Sequence, residues 1–274
     1  MFTLNCAGRL LILQKPVVMG IINATPDSFY KESRIQNLDN ILFTAEKMLK
    51  DGATILDIGG QSTKPNSIRI SEEDELKRVI HVIEKLHHTF PEAYISIDTY
   101  YAKVAKAAII SGANMVNDVS GGNMDMNMLA TVAGLNVPFI CMHMQGNPTF
   151  MQQNPHYENV VEDVLQFFIQ QTEKCKQAGI KDVIIDVGFG FGKTLEHNYS
   201  LLKNLSIFKI IQKPILVGVS RKSMIYKILE TSPQHALNGT TVLNTIALQN
   251  GASILRVHDV KEASETITLM QQLL

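Results

Sequence analysis

Cysteine is scarce in this chain. Cys6, Cys141 and Cys175 are odd in number, widely spaced and without a CxxC pair, which argues against both a disulfide framework and a structural zinc site. That usage fits a cytoplasmic, reducing compartment. Excess charge of one sign is also lacking: Lys+Arg 25 stand against Asp+Glu 26, a net charge of -1, so no global attraction to nucleic acid or acidic membranes is expected. No apolar run approaches the roughly 18 residues that span a bilayer. The opening MFTLNCAGRLLILQ has no positive stretch before an apolar core, so no secretory leader is expected either. Low-complexity tracts and linkers are absent as well. The 274 residues lie near the typical barrel length of about 250, and the chain is read as one domain, 1–274.

What is present is a series of short Val- and Ile-rich runs that stop at polar side chains. Residues 17–22 precede Asn23, 54–56 precede Asp57, 94–97 precede Asp98, and 115–116 precede Asn117 and Asp118. The second half continues with 139–142 before His143, 183–185 before Asp186, 215–219 before Ser220, Arg221 and Lys222, and 254–255 before Arg256 and His258. Such runs, separated by helix-like segments, read as buried parallel strands with crossover helices. Eight units predict an α/β fold, a (β/α)8 or TIM barrel. Before them, residues 3–6 and 9–13 flank Ala7-Gly8 and predict a β-hairpin that closes the barrel's bottom.

In such a barrel the strand C-termini open on one face, where side chains of different strands share a pocket. A single Asp or Asn at a strand end is ordinarily a turn former or helix cap. Turn chemistry does not, however, require carboxylates, an amide, Lys, Arg and His to meet, so the set is read as one site.

The helices carry their own punctuation. Ser71 before Glu72, Glu73 and Asp74 predicts an N-cap with acids against the helix dipole. A long helical pattern over 156–178 ends at Gly179, and Met124, Met126 and Met128 are read as core residues of another helical segment. His81, His87 and His88 offer no paired ligand set and are read as surface.

Three loops are chemically richer. Asp186 to Thr194 ends in Gly-Lys-Thr but has Val187 where a phosphate-binding loop needs glycine, so that motif is excluded. Its alternating Gly and Phe predict backbone close to a flat ligand with an aromatic ring against it. Gly59-Gly60-Gln61-Ser62-Thr63-Lys64-Pro65 offers hydroxyls, amides and a cation, which suits a phosphate or a closing lid. Ser220-Arg221-Lys222-Ser223 opens a short helix, where Ser223 and backbone amides can meet a carboxylate.

In order along the chain, Gly20-Ile21-Ile22-Asn23-Ala24-Thr25-Pro26-Asp27-Ser28-Phe29, Asp57-Ile58-Gly59-Gly60-Gln61-Ser62-Thr63, Ser96-Ile97-Asp98-Thr99, Asn117-Asp118-Val119-Ser120-Gly121-Gly122, Met142-His143-Met144, Gly188-Phe189-Gly190-Phe191-Gly192-Lys193, Ser220-Arg221-Lys222-Ser223 and Arg256-Val257-His258-Asp259 closely resemble the dihydropteroate synthases of the pterin-binding barrel family. The resemblance implies condensation of 6-hydroxymethyl-7,8-dihydropterin pyrophosphate with p-aminobenzoate, giving dihydropteroate and pyrophosphate with Mg2+. It further implies a homodimer through barrel helices.

The resemblance also implies residue roles. Asp98, Asn117, Asp186 and Lys222 hold the pterin, Arg256 stacks on it and Met142 packs against it. Asn23 lies near Mg2+, and Asn23, Thr63, Arg256 and His258 surround the pyrophosphate. Ser223 meets the aminobenzoate carboxylate, with Phe191, Pro65, Phe29 and Thr63 about its ring. Lys222, Arg256, His258 and Asn23 form the catalytic set. The chain departs from the family pattern at Tyr30-Lys31-Glu32-Ser33, where Ser-Asp-Gly-Gly is usual, and at Gln61 for Glu, Lys64 for Arg, Gln145 for Arg and Val187 for Pro. Other readings are a pterin-binding methyltransferase, a pterin-binding paralogue with weakened turnover, and an aldolase with Lys222 as Schiff-base lysine.

Overall fold

The computed structural model describes residues 1–24, 31–61, 69–146 and 155–273, the side chains of 31–37 excepted. Strands β1 (Phe2–Cys6) and β2 (Arg9–Leu13) pair antiparallel, with Phe2 opposite Leu13 and Cys6 opposite Arg9. Ala7 and Gly8 turn the chain with φ of 54° and 89°. Two left-handed residues in succession match the right-handed twist of a tight hairpin, and the predicted hairpin is present.

Eight parallel strands follow: β3 (Val17–Asn23), β4 (Ala53–Gly59), β5 (Tyr94–Asp98), β6 (Met115–Asp118), β7 (Phe139–Met142), β8 (Val183–Asp186), β9 (Ile215–Val217) and β10 (Ile254–Val257). They close in the order β10-β3-β4-β5-β6-β7-β8-β9. Around them run α1 (Lys31–Lys50), α2 (Glu72–Thr89), α3 (Ala102–Ile110), α4 (Met128–Leu135), α5 (Val160–Ala178), α6 (Leu195–Lys203), α7 (Ser223–Tyr226), α8 (Leu237–Gln249) and α9 (Val260–Met270). The barrel read from the sequence is the barrel observed.

Strand alternation explains where the polar groups go. Leu56, Ile58, Ile95, Ile97, Val116, Phe139, Cys141, Ile185 and Leu255 join the core shared with the helices, so the residues between them face the barrel axis. At the strand starts these are Met19, Ile55, Met115, Ile140, Ile184, Leu216 and Ile254, clustered with Leu4, Cys6, Leu11 and Leu13 of the hairpin. Each such burial contributes about 1.5–3 kcal/mol, and together they stopper the bottom. Two residues further up, the axis-facing positions become Asp57, Asn117, Asp186 and Arg256, with Ser96 two beyond Tyr94, which packs against the same bottom cluster. Asp57, Asn117, Asp186 and Arg256 come from alternate strands β4, β6, β8 and β10, the way one barrel layer is filled.

The hairpin is also fastened by polar contacts. Arg9 donates to the carbonyls of Pro91 and Glu92, each at 2.7 Å, and of Ala93 at 3.3 Å, and lies 4.5 Å from the Tyr94 ring centre. The Asn5 amide donates to Asp182 Oδ2 at 2.8 Å.

Several local readings hold and others need correction. Ser71 caps α2 by accepting from the Asp74 amide, Gly179 ends α5 with φ 97°, and His81, His87 and His88 are exposed. The helix expected from 156 begins instead at Val160, because Asn159 caps it and Gln145 holds both backbone groups of His156 in a loop at 2.7 and 3.0 Å. Met128 is the first residue of α4 and buried, whereas Met126 precedes the helix and is 97% exposed, so it fills no core. β4 runs past Asp57 to Gly59, placing that carboxylate inside the strand rather than at its end. β9 stops at Val217, two residues earlier than the apolar run.

Candidate active site

The centre of the barrel mouth is a hydrogen-bonded charge network. Arg256 donates from Nε to Asp57 Oδ2 at 2.6 Å and from Nη2 to Asp98 Oδ2 at 2.7 Å. Asn117 Nδ2 donates to the same Asp57 oxygen at 3.0 Å, while Asp57 Oδ1 is buried without a hydrogen-bond partner among the described residues.

Beside it, Asp186 accepts the Gly188 amide at 2.8 Å, and Lys222 donates to the Phe189 carbonyl at 2.6 Å while standing 4.9 Å over the Phe191 ring. Met142 is buried against Tyr100 and Val119, with Phe191 and Met124 packed alongside. The mouth thus carries a polar network beside an apolar wall of Met142, Tyr100, Val119 and Phe191.

Burial decides the electrostatics. Desolvation raises the Asp98 pKa to about 7 against the pull of Arg256, and raises that of Asp186 against Lys222. Desolvation lowers Lys222 to about 8, with Asp186 opposing. It also works against the Arg256 charge, but Asp57 and Asp98 outweigh it and the Arg256 pKa is raised. The guanidinium therefore stays charged, and the pH response of the pair belongs to the carboxylate.

The remaining site residues read from the sequence fall around this centre. Asn23 ends β3 with its side chain exposed at the mouth. His258 follows β10, is exposed, and shares a 3.0 Å contact from Nδ1 to Ser220 Oγ; desolvation and then Arg256 lower its pKa to about 4. Ser223 is the first residue of α7, and Arg221 forms a two-pronged pair with Asp259 at 2.6 and 2.8 Å. Phe29, Thr63, Lys64 and Pro65 lie outside the described residues, as do the side chains of Lys31 and Glu32. The structure brings together Asp98, Asn117, Asp186, Lys222, Arg256, Met142 and Phe191.

Three residues were not assigned a place in the site from the sequence. Asp57 anchors both Arg256 and Asn117; its signal was its place in the strand-end series. Tyr100 forms the pocket wall, 3% exposed, and accepts a hydrogen bond from Gln61 Nε2; nothing in its spacing marked it. Lys193, in the excluded phosphate motif, is buried beneath the mouth, and desolvation lowers its pKa to about 7. The Gly-Phe loop also differs from expectation. Phe189 is wholly in the core, and added Cβ atoms on Gly188 and Gly192 would lie 1.9 Å from the His143 carbonyl and 2.5 Å from that of Gln145. Those two glycines serve backbone-on-backbone packing rather than approach to a flat ligand.

The family model for pterin binding enzymes matches residues 19–258. A dihydropteroate synthase of Haemophilus influenzae is 46% identical over 266 residues, covering 96% of each chain. The structure of Yersinia pestis dihydropteroate synthase with a sulfonamide drug superposes with a TM-score of 0.93 at 41% identity, over 99% of both chains. That of Xanthomonas albilineans dihydropteroate synthase in complex with 7,8-dihydropteroate gives a TM-score of 0.88 at 36% identity, over 99% and 98%. The chain belongs to the pterin-binding enzymes, in the family of the dihydropteroate synthases.

Proposed function

We propose that this enzyme joins 6-hydroxymethyl-7,8-dihydropterin pyrophosphate to p-aminobenzoate, releasing pyrophosphate and forming 7,8-dihydropteroate for folate synthesis. One observation carries the reading: carboxylates, an amide, a lysine and an arginine converge on one barrel mouth in a chain 46% identical to a dihydropteroate synthase.

The pterin presents an amino group beside a ring N–H, a donor pair suited to ionised carboxylates, while its acceptor atoms need amide and ammonium donors. Asp98 and Asp186 supply the first need; Asn117 and Lys222 supply the second. Arg256, held by Asp57 and Asp98, stacks on the ring, and Met142 packs on it.

The reaction breaks the bond between the pterin methylene carbon and the pyrophosphate oxygen, whose electron pair leaves with that oxygen. The electron-rich dihydropterin stabilises the cationic carbon. The arylamine lone pair then forms the new C–N bond, and the nitrogen sheds one proton. Charge develops on the leaving oxygen, so cations and donors there matter more than a nucleophile. Arg256, His258, Thr63 and Asn23 are assigned to that group. Ser223 and the start of α7 receive the benzoate carboxylate, with its ring beside Phe191, Pro65, Phe29 and Thr63.

Among the described residues no three His, Cys, Asp or Glu side chains form a metal cage. Mg2+ binds through few protein oxygens together with substrate phosphates, which fits the exposed Asn23 amide as its protein ligand. When bound, Mg2+ neutralises part of the pyrophosphate charge. We read the chain as one cytoplasmic domain, consistent with three free, buried cysteines and with no helix among the described residues able to cross a membrane. A homodimer through the outer helices completes the reading.

The test is an assay with dihydropterin pyrophosphate, p-aminobenzoate and Mg2+ that detects dihydropteroate and pyrophosphate together. Each component is omitted in turn. Pyrophosphate release without dihydropteroate rejects the condensation. Tight pterin binding with no product at all selects the weakened paralogue. The relatives favour condensation over methyl transfer or a Schiff base on Lys222.

A further inference from the structure

The proposed reaction gives no part to Lys193, although its side chain is 3% exposed and held on all sides. Its ammonium lies 2.9 Å from His143 Nδ1, 3.0 Å from the carbonyls of both Gly188 and Phe191, and 3.3 Å from the carbonyl of His143. The first two carbonyls begin and end the turn that projects the Phe191 ring, and Phe191 closes that turn with its own amide to Gly188 at 3.1 Å. The other two acceptors belong to the residue after Met142. One cation therefore ties together the two apolar faces of the pocket, Phe191 and Met142.

The rest of the turn leaves little slack. Gly190 donates to Asn198 Oδ1 at 2.7 Å, the Gly192 carbonyl accepts Tyr157 Oη at 2.8 Å, and the Phe189 carbonyl accepts Lys222. Gly188 and Gly192 sit at φ 69° and 62° against the backbone of residues 143–145. A side chain without donors at 193 would leave up to three buried acceptors, His143 Nδ1 and the carbonyls of His143 and Phe191, without their donor, and each such loss is large compared with an ordinary hydrogen bond. The turn would relax toward other partners, moving the ring.

We infer that Lys193 is a positioning residue for p-aminobenzoate, its ammonium setting the 188–191 turn and thereby the place of the Phe191 ring. The inference rests on the reading of Phe191 as the neighbour of the aminobenzoate ring. It predicts a larger effect on p-aminobenzoate than on the pterin, because Asp98, Asn117 and Arg256 lie on other strands and keep their geometry, while Asp186 and Lys222 meet the turn only through the Gly188 amide and the Phe189 carbonyl.

The experiment is steady-state kinetics on Lys193→Met, Phe191→Ala and the double variant, with folded protein confirmed by circular dichroism. Lys193→Met is expected to raise the KM for p-aminobenzoate about tenfold and that for the pterin pyrophosphate less than about threefold. The double variant is expected to be within about twofold of Phe191→Ala alone, since both changes act through one ring. A protein that merely contains less folded enzyme would lose kcat at unchanged KM, and that result overturns the inference. So does an equal rise in both KM values. If Phe191→Ala raises the aminobenzoate KM and Lys193→Met does not, the inference fails while the reading of Phe191 stands. If Phe191→Ala changes nothing, that reading falls and the inference with it. Should Lys193→Met not fold, Lys193→Gln retains two N–H donors and is expected to raise the aminobenzoate KM about threefold; an unchanged value overturns the inference equally.

Discussion

Arg256 Nη2 and Asp98 Oδ2 lie 2.7 Å apart across the barrel mouth, joining β10 to β5. The carboxylate that is to accept the pterin's donors is thus already engaged by the cation that is to stack on it. Asp98→Asn replaces one charged acceptor by a group that is half donor. It is expected to weaken binding of the pterin pyrophosphate more than about tenfold by calorimetry. Unchanged affinity contradicts the assignment.

Asp98 and Lys222 together predict a bell-shaped pH profile. The pterin edge needs ionised Asp98, with pKa raised to about 7, and charged Lys222, with pKa lowered to about 8. Plotted against pH, kcat/KM for the pterin substrate should rise through the first value and fall through the second. Lys222→Met should lack the alkaline limb. Stability runs the other way. Asp98 binds its proton more tightly folded than at its ordinary 3.8, which stabilises the fold at low pH and is lost as pH rises toward 7. Lys222 sheds its proton more easily folded than at 10.5, so its destabilising effect fades from about 8 upward. From these two groups, the free protein is weakest where it should bind best; a melting temperature that peaks between 7 and 8 because of them would be the wrong outcome.

Asp57 contacts the substrate in no part of the proposal, yet it holds Arg256 and Asn117 at once. Asp57→Ala removes one partner of a buried ion pair and is expected to destabilise the fold by roughly 3–5 kcal/mol. Pterin affinity should fall as well, since two binding groups lose their support. Denaturant unfolding and calorimetry on the same preparation check both; a stable variant with normal affinity argues against the network.

Gly188 combines φ 69° with a neighbour 1.9 Å from any added Cβ. Gly8 shares the left-handed geometry but has nothing within 4 Å. Gly8→Ala should therefore be mild, about 1 kcal/mol, whereas Gly188→Ala should sharply lower the melting temperature and the yield of pterin-binding protein. Equal effects at the two positions would show that conformation alone, and not packing on His143, explains the glycine.

Arg9 fastens the hairpin through three carbonyls and the Tyr94 ring, while its contact to Glu92 is exposed and contributes little. Arg9→Ala is expected to lower stability by about 1–3 kcal/mol with both KM values unchanged. Altered KM values would mean that the barrel's closed bottom is coupled to its mouth.

The barrel, its hairpin and most of the side chains gathered at the mouth were legible because they rest on local rules. Apolar runs of strand length between helical patterns specify parallel strands, Ala7-Gly8 between two such runs specifies a tight turn, and period-two alternation sends Asp57, Asn117, Asp186 and Arg256 to the axis whatever the loops do. Family motifs supplied the roles proposed for the other residues. What only the tertiary structure decided are relations between distant segments. That Arg256 divides its donors between Asp57 and Asp98, that Gly188 and Gly192 exist to pass the His143–Gln145 backbone, and that Lys193 serves as a buried tie rather than a phosphate ligand depend on which strands become neighbours when the barrel closes. Local propensity encodes the direction of a side chain along its own strand, but the distance between two strands' side chains exists only once the sheet has curved onto itself.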